Sequence, residues 1–127
     1  MNDPKIPAGH QRLMPYYLVS DAEAFITFLK KSLGAKDREM HRGDDGRVMH
    51  AELTIGDSVL MLGQATDQWA ARPTSAYLYV SDTDATHRAA LKNGCTEIYD
   101  PRDEAYGVRS SGLTDTWGNT WWLAQAN

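Results

Sequence analysis

Laid on itself, the chain repeats. Tyr16-Tyr17-Leu18-Val19-Ser20-Asp21-Ala22-Glu23-Ala24 returns in the second half as Tyr77-Leu78-Tyr79-Val80-Ser81-Asp82-Thr83-Asp84-Ala85. A second segment, Gly56-Asp57-Ser58-Val59-Leu60-Met61-Leu62, returns at almost the same offset as Gly118-Asn119-Thr120-Trp121-Trp122-Leu123-Ala124. Two matches at nearly one spacing read as two copies of one supersecondary unit, whose apolar faces are buried by stacking on each other. A length of 127 residues suits one domain, so residues 1–127 are expected to form a single core. Module 1 runs from about 11 to 63 and module 2 from about 75 to 125, with residues 64–74 as linker or lid.

Each copy reads β-α-β-β-β. Leu13 to Val19 is an apolar and aromatic strand, followed by Ser20-x-x-Glu23, the pattern of a capping box. A helix then runs to Leu33, with Phe25, Phe28, Leu29 and Leu33 on one face. Lys30 and Lys31 suit its negative end, and Gly34 stops it. Lys36 to Arg42 and Arg47 to Ile55 flank Gly43-Asp44-Asp45-Gly46, a hairpin composition, and Ser58 to Leu62 follows Gly56-Asp57. In the second copy, Ser81-x-x-Asp84 opens an alanine-faced helix that ends at Asn93-Gly94. Strands follow near 96–99, 108–114 and 119–124, after a first one near 76–80. The fold class is therefore α+β: two tandem βαβββ modules forming a curved mixed sheet with a cavity, helices on the outer face.

Composition removes several functions. Thirteen basic residues against seventeen acidic ones, with no basic cluster longer than Lys30-Lys31, argue against nucleic acid as a partner. No apolar run approaches the ~18 residues of a membrane span, and Met1 to His10 has the look of neither a signal peptide nor an anchor. The single cysteine, Cys95, forms no internal disulfide, so a reducing cytoplasm is the expected location.

The order and spacing of four segments resemble the vicinal-oxygen-chelate superfamily, which holds glyoxalase I, extradiol dioxygenases and bleomycin-resistance-type binding proteins. They are the Phe25-to-Gly34 helix, Gly46-Arg47-Val48-Met49-His50-Ala51-Glu52-Leu53, Gly56-Asp57-Ser58, and Asp115-Thr116-Trp117-Gly118-Asn119-Thr120-Trp121. The resemblance spans about 13–124 and is nearest to small bacterial glyoxalase-like proteins, although Thr116 stands where a proline is usual. It implies a homodimer. In metal-dependent members it also implies one ligand from the first and last strand of each module. Counted from the strand ends, those positions are Met14, Met61, Ser75 and Trp122. Two thioethers, a hydroxyl and an indole are poor donors for a divalent ion, so no metal and no cofactor are expected.

Strand alternation puts Met14, Tyr16 and Leu18 on one face, and likewise Val59 with Met61, Ser75 with Tyr77 and Tyr79, and Thr120 with Trp122. Facing inward, they would wall a cavity suited to a planar or apolar small molecule; otherwise they only fill the core. Trp69 is a candidate flap residue, whereas Trp117 and Trp121 read as structural. His50 and Glu52 share one strand face and could serve as an acid-base pair, as metal ligands, or as a hydrogen-bonded rim. Arg109 resembles the family's Tyr-Gly-x-Arg segment and would bind an anionic ligand group or pair with Asp103 or Glu104. His10, His41 and His87 stand alone and are expected at the surface, and Cys95 is expected to be inert.

The ligand-binding set is thus Met14, Tyr16, His50, Glu52, Met61, Trp69, Ser75, Tyr77, Arg109 and Trp122. The function expected is metal-independent binding, possible drug sequestration included. The alternatives are a lyase, isomerase or dioxygenase built around His50 and Glu52, and a ligand-free dimeric scaffold.

Overall fold

The computed structural model describes residues 2–127, so Met1, the first residue of the N-terminal segment read above, lies outside the described residues. Module 1 contains β1 (Tyr16–Val19), α1 (Ala22–Leu33), β2 (Lys36–Arg42), β3 (Val48–Ile55) and β4 (Ser58–Gln64). Module 2 contains β5 (Ser75–Tyr79), α2 (Thr83–Lys92), β6 (Thr96–Asp103), β7 (Val108–Thr114) and β8 (Thr120–Ala126). The first sheet has the order β1-β4-β3-β2 and the second β5-β8-β7-β6, each with one parallel pair, so both are mixed and neither closes. The fold is α+β in two tandem modules, as the repeat requires.

The repeat survives as register. Tyr16 pairs with Met61 in the parallel β1–β4 ladder, and Tyr77 pairs with Trp122 in the parallel β5–β8 ladder. Both members of the second pair follow their counterparts in the first by the same step along the chain. That step also relates two side-chain bonds: Gln64 accepts from the Ala22 N–H, and Gln125 accepts from the Thr83 N–H. Each glutamine ties the last strand of its module to a helix N-terminus, where free N–H groups need acceptors.

The helix starts correct one expectation. The N-caps are Asp21 and Asp82, not Ser20 and Ser81: each aspartate accepts the N–H three residues on, at Ala24 and Ala85. A carboxylate at this position satisfies a free donor and also meets the positive end of the helix. Glu23 instead reaches Val48 N–H and Arg42, and Asp84 takes Arg109. Gly34 ends α1 in the left-handed region, φ 70°, as expected. Strand β1 is shorter than the apolar run predicted, because Pro15 has no N–H for a ladder.

One face of each sheet is covered by its helix. Tyr17, Val19, Leu53, Leu60 and Leu62 point there in module 1 and are buried with Phe25 and Leu29 of α1. The two modules share this core. Tyr17 stacks on Trp121 with centroids 5.4 Å apart, and Phe25 meets the edge of Trp117 at 5.1 Å. Trp117 and Trp121 are therefore structural, as their parity and turn position predict. Asp115 holds both: its carboxylate accepts from the Trp117 and Asn119 N–H groups, from Asn119 Nδ2 and from Trp121 Nε1 at 2.8–3.0 Å.

Candidate functional site: the open face of module 1

Among the described residues, the other face of each sheet carries no helix. In module 1 the register sets two rows across this open face: Tyr16, Met61 and Glu52, then Leu18, Gly63 and His50. Gly63 is decisive for shape. A Cβ there would lie 3.0 Å from Tyr16 Oη and 3.3 Å from Leu18 Cδ2, so a hydrogen keeps the sheet surface low at this point. The hollow left is a cavity of about 450 Å³ lined by Tyr16, Leu18, Gly63 and Gln64 of the sheet, with Met49 at one side. Thr66 and Trp69 close the other side from the linker.

Trp69 is positioned by local bonds. Its N–H donates to Thr66 Oγ1 and its carbonyl accepts the Thr66 N–H, which folds residues 66–69 into a tight turn. Arg72 then bridges to Leu18, which returns the linker along the free edge of β1. The expected flap residue thus stands at the cavity wall, and its ring is still largely exposed. Of the residues expected at the site, the structure brings Tyr16 and Trp69 together here. Met49, Gly63, Gln64 and Thr66 were not foreseen; the dip at Gly63 was the sequence signal available, since glycine inside a strand often marks a close approach.

His50 and Glu52 do share a strand face, but their surroundings differ. The His50 ring lies between those of Tyr16 and His41, at 5.7 and 5.6 Å. Glu52 is buried, and its Oε1 receives His10 Nε2 at 2.7 Å and Arg38 Nε at 3.3 Å. His10 is thus not a lone surface residue. The N-terminal segment crosses the open face: Gln11 brackets the Val59 backbone with both ends of its amide, and Arg38 also holds the Ala8 carbonyl. Burying a carboxylate requires paired charge; Arg38 of β2 supplies it, and the segment adds the His10 hydrogen bond. No local pattern in residues 2–15 announces this contact, which spans 42 residues of chain. His41 is exposed, as expected.

In module 2 the matching face is filled differently. The Tyr99 ring lies over Gly112, where a Cβ would come within 2.8 Å of it, and Arg102 sits 4.0 Å from the ring centroid. Tyr77, Tyr79, Tyr106 and Trp122 are exposed, with the Tyr77 and Tyr79 rings 5.4 Å apart. Partial burial, then the phenols of Tyr106, Tyr79 and Tyr99, raise the Tyr77 pKa. Tyr77 also borders a narrow cleft of about 130 Å³ between the modules, opposite Val59. Ser75 is exposed at the start of β5, and Met14 is half-buried before β1.

Arg109 is directed elsewhere. It forks onto Asp84 at 2.7 and 3.0 Å and reaches Asp103 at 3.2 Å, locking the start of α2 to β6 and β7. Of the two pairings expected for it, Asp103 is made, whereas Glu104 goes to Arg102 and Ser110. Burial, then the nearby Asp115 charge, pushes the Cys95 thiol up to about 12. It is a weak nucleophile there. His87, expected at the surface, is buried between Ser111 and Glu97, because its helix position four residues after Thr83 faces the sheet.

Two four-stranded modules repeated in tandem are a fold shared with known proteins. The family model of the glyoxalase/bleomycin resistance protein/dioxygenase superfamily matches residues 11–123. The chain belongs to this superfamily. An uncharacterized protein of Mycobacterium bovis, Mb0911c, is 30% identical over 124 residues, covering 89% of this chain and 82% of that one. Among solved structures, TioX from Micromonospora sp. ML1 superposes with a TM-score of 0.78 at 16% identity, over 92% of this chain and 99% of that one. The fosfomycin resistance protein FosX from Mesorhizobium loti gives 0.67 at 17% identity, over 92% of each chain. At such identities the structures share the fold alone.

For this glyoxalase-superfamily chain, the metal implied by metal-dependent relatives can be tested on its donors. Tyr16 with Met61 and Tyr77 with Trp122 are equivalent rows, so the aligned positions in the two modules carry Met61 and Trp122. An indole N–H offers no lone pair, a thioether is a soft neutral donor, and Ser75 adds one neutral hydroxyl. With Met14 as the fourth, these residues do not fit a divalent ion.

Proposed function

We propose that this superfamily member binds a small aromatic or apolar molecule, without a metal at those four positions, in the cavity between Tyr16 and Trp69. The supporting observation is the cavity itself. Its volume of about 450 Å³ suits a drug-sized ligand, and its walls are two aromatic rings, a leucine and a methionine. Aromatic faces give large contact area at small entropic cost, and methionine adapts to irregular shapes. Among the described residues that line it there is no carboxylate, imidazole or thiol, Tyr16 being its one ionisable group, which favours holding a ligand over transforming it. Protection by sequestration is the biological use that follows. The exposed rings of module 2 form the kind of patch that marks an interaction surface, and a homodimer in a cytoplasmic setting is part of this reading.

Calorimetric titration with 1-anilinonaphthalene-8-sulfonate and with neutral naphthalene tests it. Saturable binding is expected, weakened at least tenfold by Trp69→Ala and by Tyr16→Ala. Absence of saturation for both probes, or equal affinity in the variants, refutes the site. Sedimentation velocity tests the dimer; a monomer at micromolar concentration refutes that part.

A further inference from the structure

Glu97 and Asp100 stand three residues apart on β6, and in a regular strand they would point to opposite faces. The β6–β7 ladder shifts register twice, between Glu97 and Tyr99 and between Tyr99 and Arg102. These irregularities bring both carboxylates to one side, toward α2. There they meet the His87 imidazole, and one ligand atom from each of the three residues lies within 4.8 Å of the others. Bulges of this kind re-aim side chains and often do so at functional sites.

The three groups differ in a useful way. His87 is buried, and Ser111 Oγ holds its Nδ1 at 2.8 Å, which fixes the ring and aims Nε2 outward at Glu97, 2.7 Å away. A metal-ligating histidine has this arrangement, with the far nitrogen held by a second group. Serine can donate or accept, so the ring proton can move to Nδ1 and leave the Nε2 lone pair free. Glu97 and Asp100 are solvent-accessible, so an ion can enter. Two carboxylates this close repel unless something positive lies between them.

We infer that His87 Nε2 and the carboxylates of Glu97 and Asp100 form a binding site for one divalent ion of the Zn²⁺ kind, on the helix side of module 2. The imidazole selects a borderline cation over Ca²⁺ or Mg²⁺, and three protein ligands leave at least one position for water. The site lies on the opposite face of the second sheet from Ser75 and Trp122, because Glu97 pairs with the buried Leu113, whose partner on β8 is Trp121. It joins α2 to β6, so the bound ion clamps the helix onto the sheet.

Zn²⁺ titration of the full chain in chelator-free buffer, followed by calorimetry and by thermal unfolding, tests this. One Zn²⁺ per chain and a raised Tm are expected. Asp100→Asn, an exposed change that leaves the fold intact, and Glu97→Gln each weaken binding at least tenfold and abolish the Tm rise. Ser111→Ala weakens it by about 10–100-fold through loss of ring orientation. Absence of saturable uptake, or uptake unchanged in Asp100→Asn and lost instead in His41→Ala on the open face, overturns the assignment. Neither result bears on the cavity, whose probes carry no metal.

Discussion

Gly63 shows how much one missing atom group can decide. Tyr16 and Leu18 rest against the space its side chain would occupy, and its counterpart in the second copy is Ala124, which is buried. Gly63→Val is therefore expected to fill the cavity floor and cost at least tenfold in affinity for naphthalene, read by calorimetry. Tyr16 is half exposed and can swing aside, so Tm should fall by only a few degrees. An unchanged affinity would place the ligand elsewhere. His50 and Glu52 teach a related lesson. Alternation correctly gives them one face, but partners decide their chemistry, and the Glu52 partners His10 and Arg38 come from segments that sequence patterns do not connect.

Among elements, the helix starts are the clearest test of local reading. Both Ser20 and Asp21 are good capping residues, and only the observed bond to Ala24 N–H separates them. Asp21→Ala is expected to lower stability by about 1 kcal/mol in urea unfolding, and Ser20→Ala to change it little. The reverse order would contradict the cap assignment. The Arg109 fork links elements in a pH-dependent way. Hydrogen bonds from Arg109 hold the Asp84 pKa below its ordinary 3.8, and Glu104 is held low by Arg102 and Ser110. A depressed carboxylate stabilises the fold fully above its ordinary range and loses that contribution as pH falls through the folded value. Stability should thus decline from about pH 4 downward, and less steeply in Arg109→Met. An identical acid slope in the variant would show that the fork contributes nothing.

At the scale of the whole molecule, the modules cannot be separated energetically. The Tyr17–Trp121 stack and the contacts of Trp117 with Phe25 and Phe28 cross from one module to the other. One shared core predicts one cooperative transition. Tryptophan fluorescence and far-ultraviolet circular dichroism should give coincident urea curves. Trp121→Ala should destabilise both modules together by about 3–5 kcal/mol, since it removes a large buried ring. Two separate transitions would show that the modules fold independently.

The sequence by itself determined the repeat, the order of strands and helices, and the face on which most residues lie. Those follow from periodicity and turn chemistry, which act over a few residues. Gly34 and the parity of Trp121 against Trp122 were readable in this way. Only the tertiary structure decided which faces met: the hollow over Gly63, the pairing of His10 with Glu52, the turning of Arg109 to Asp84, and the gathering of His87, Glu97 and Asp100. Each of these depends on contacts between distant segments or on a bulge, and a strand register that slips by one residue reverses the direction of every side chain after it.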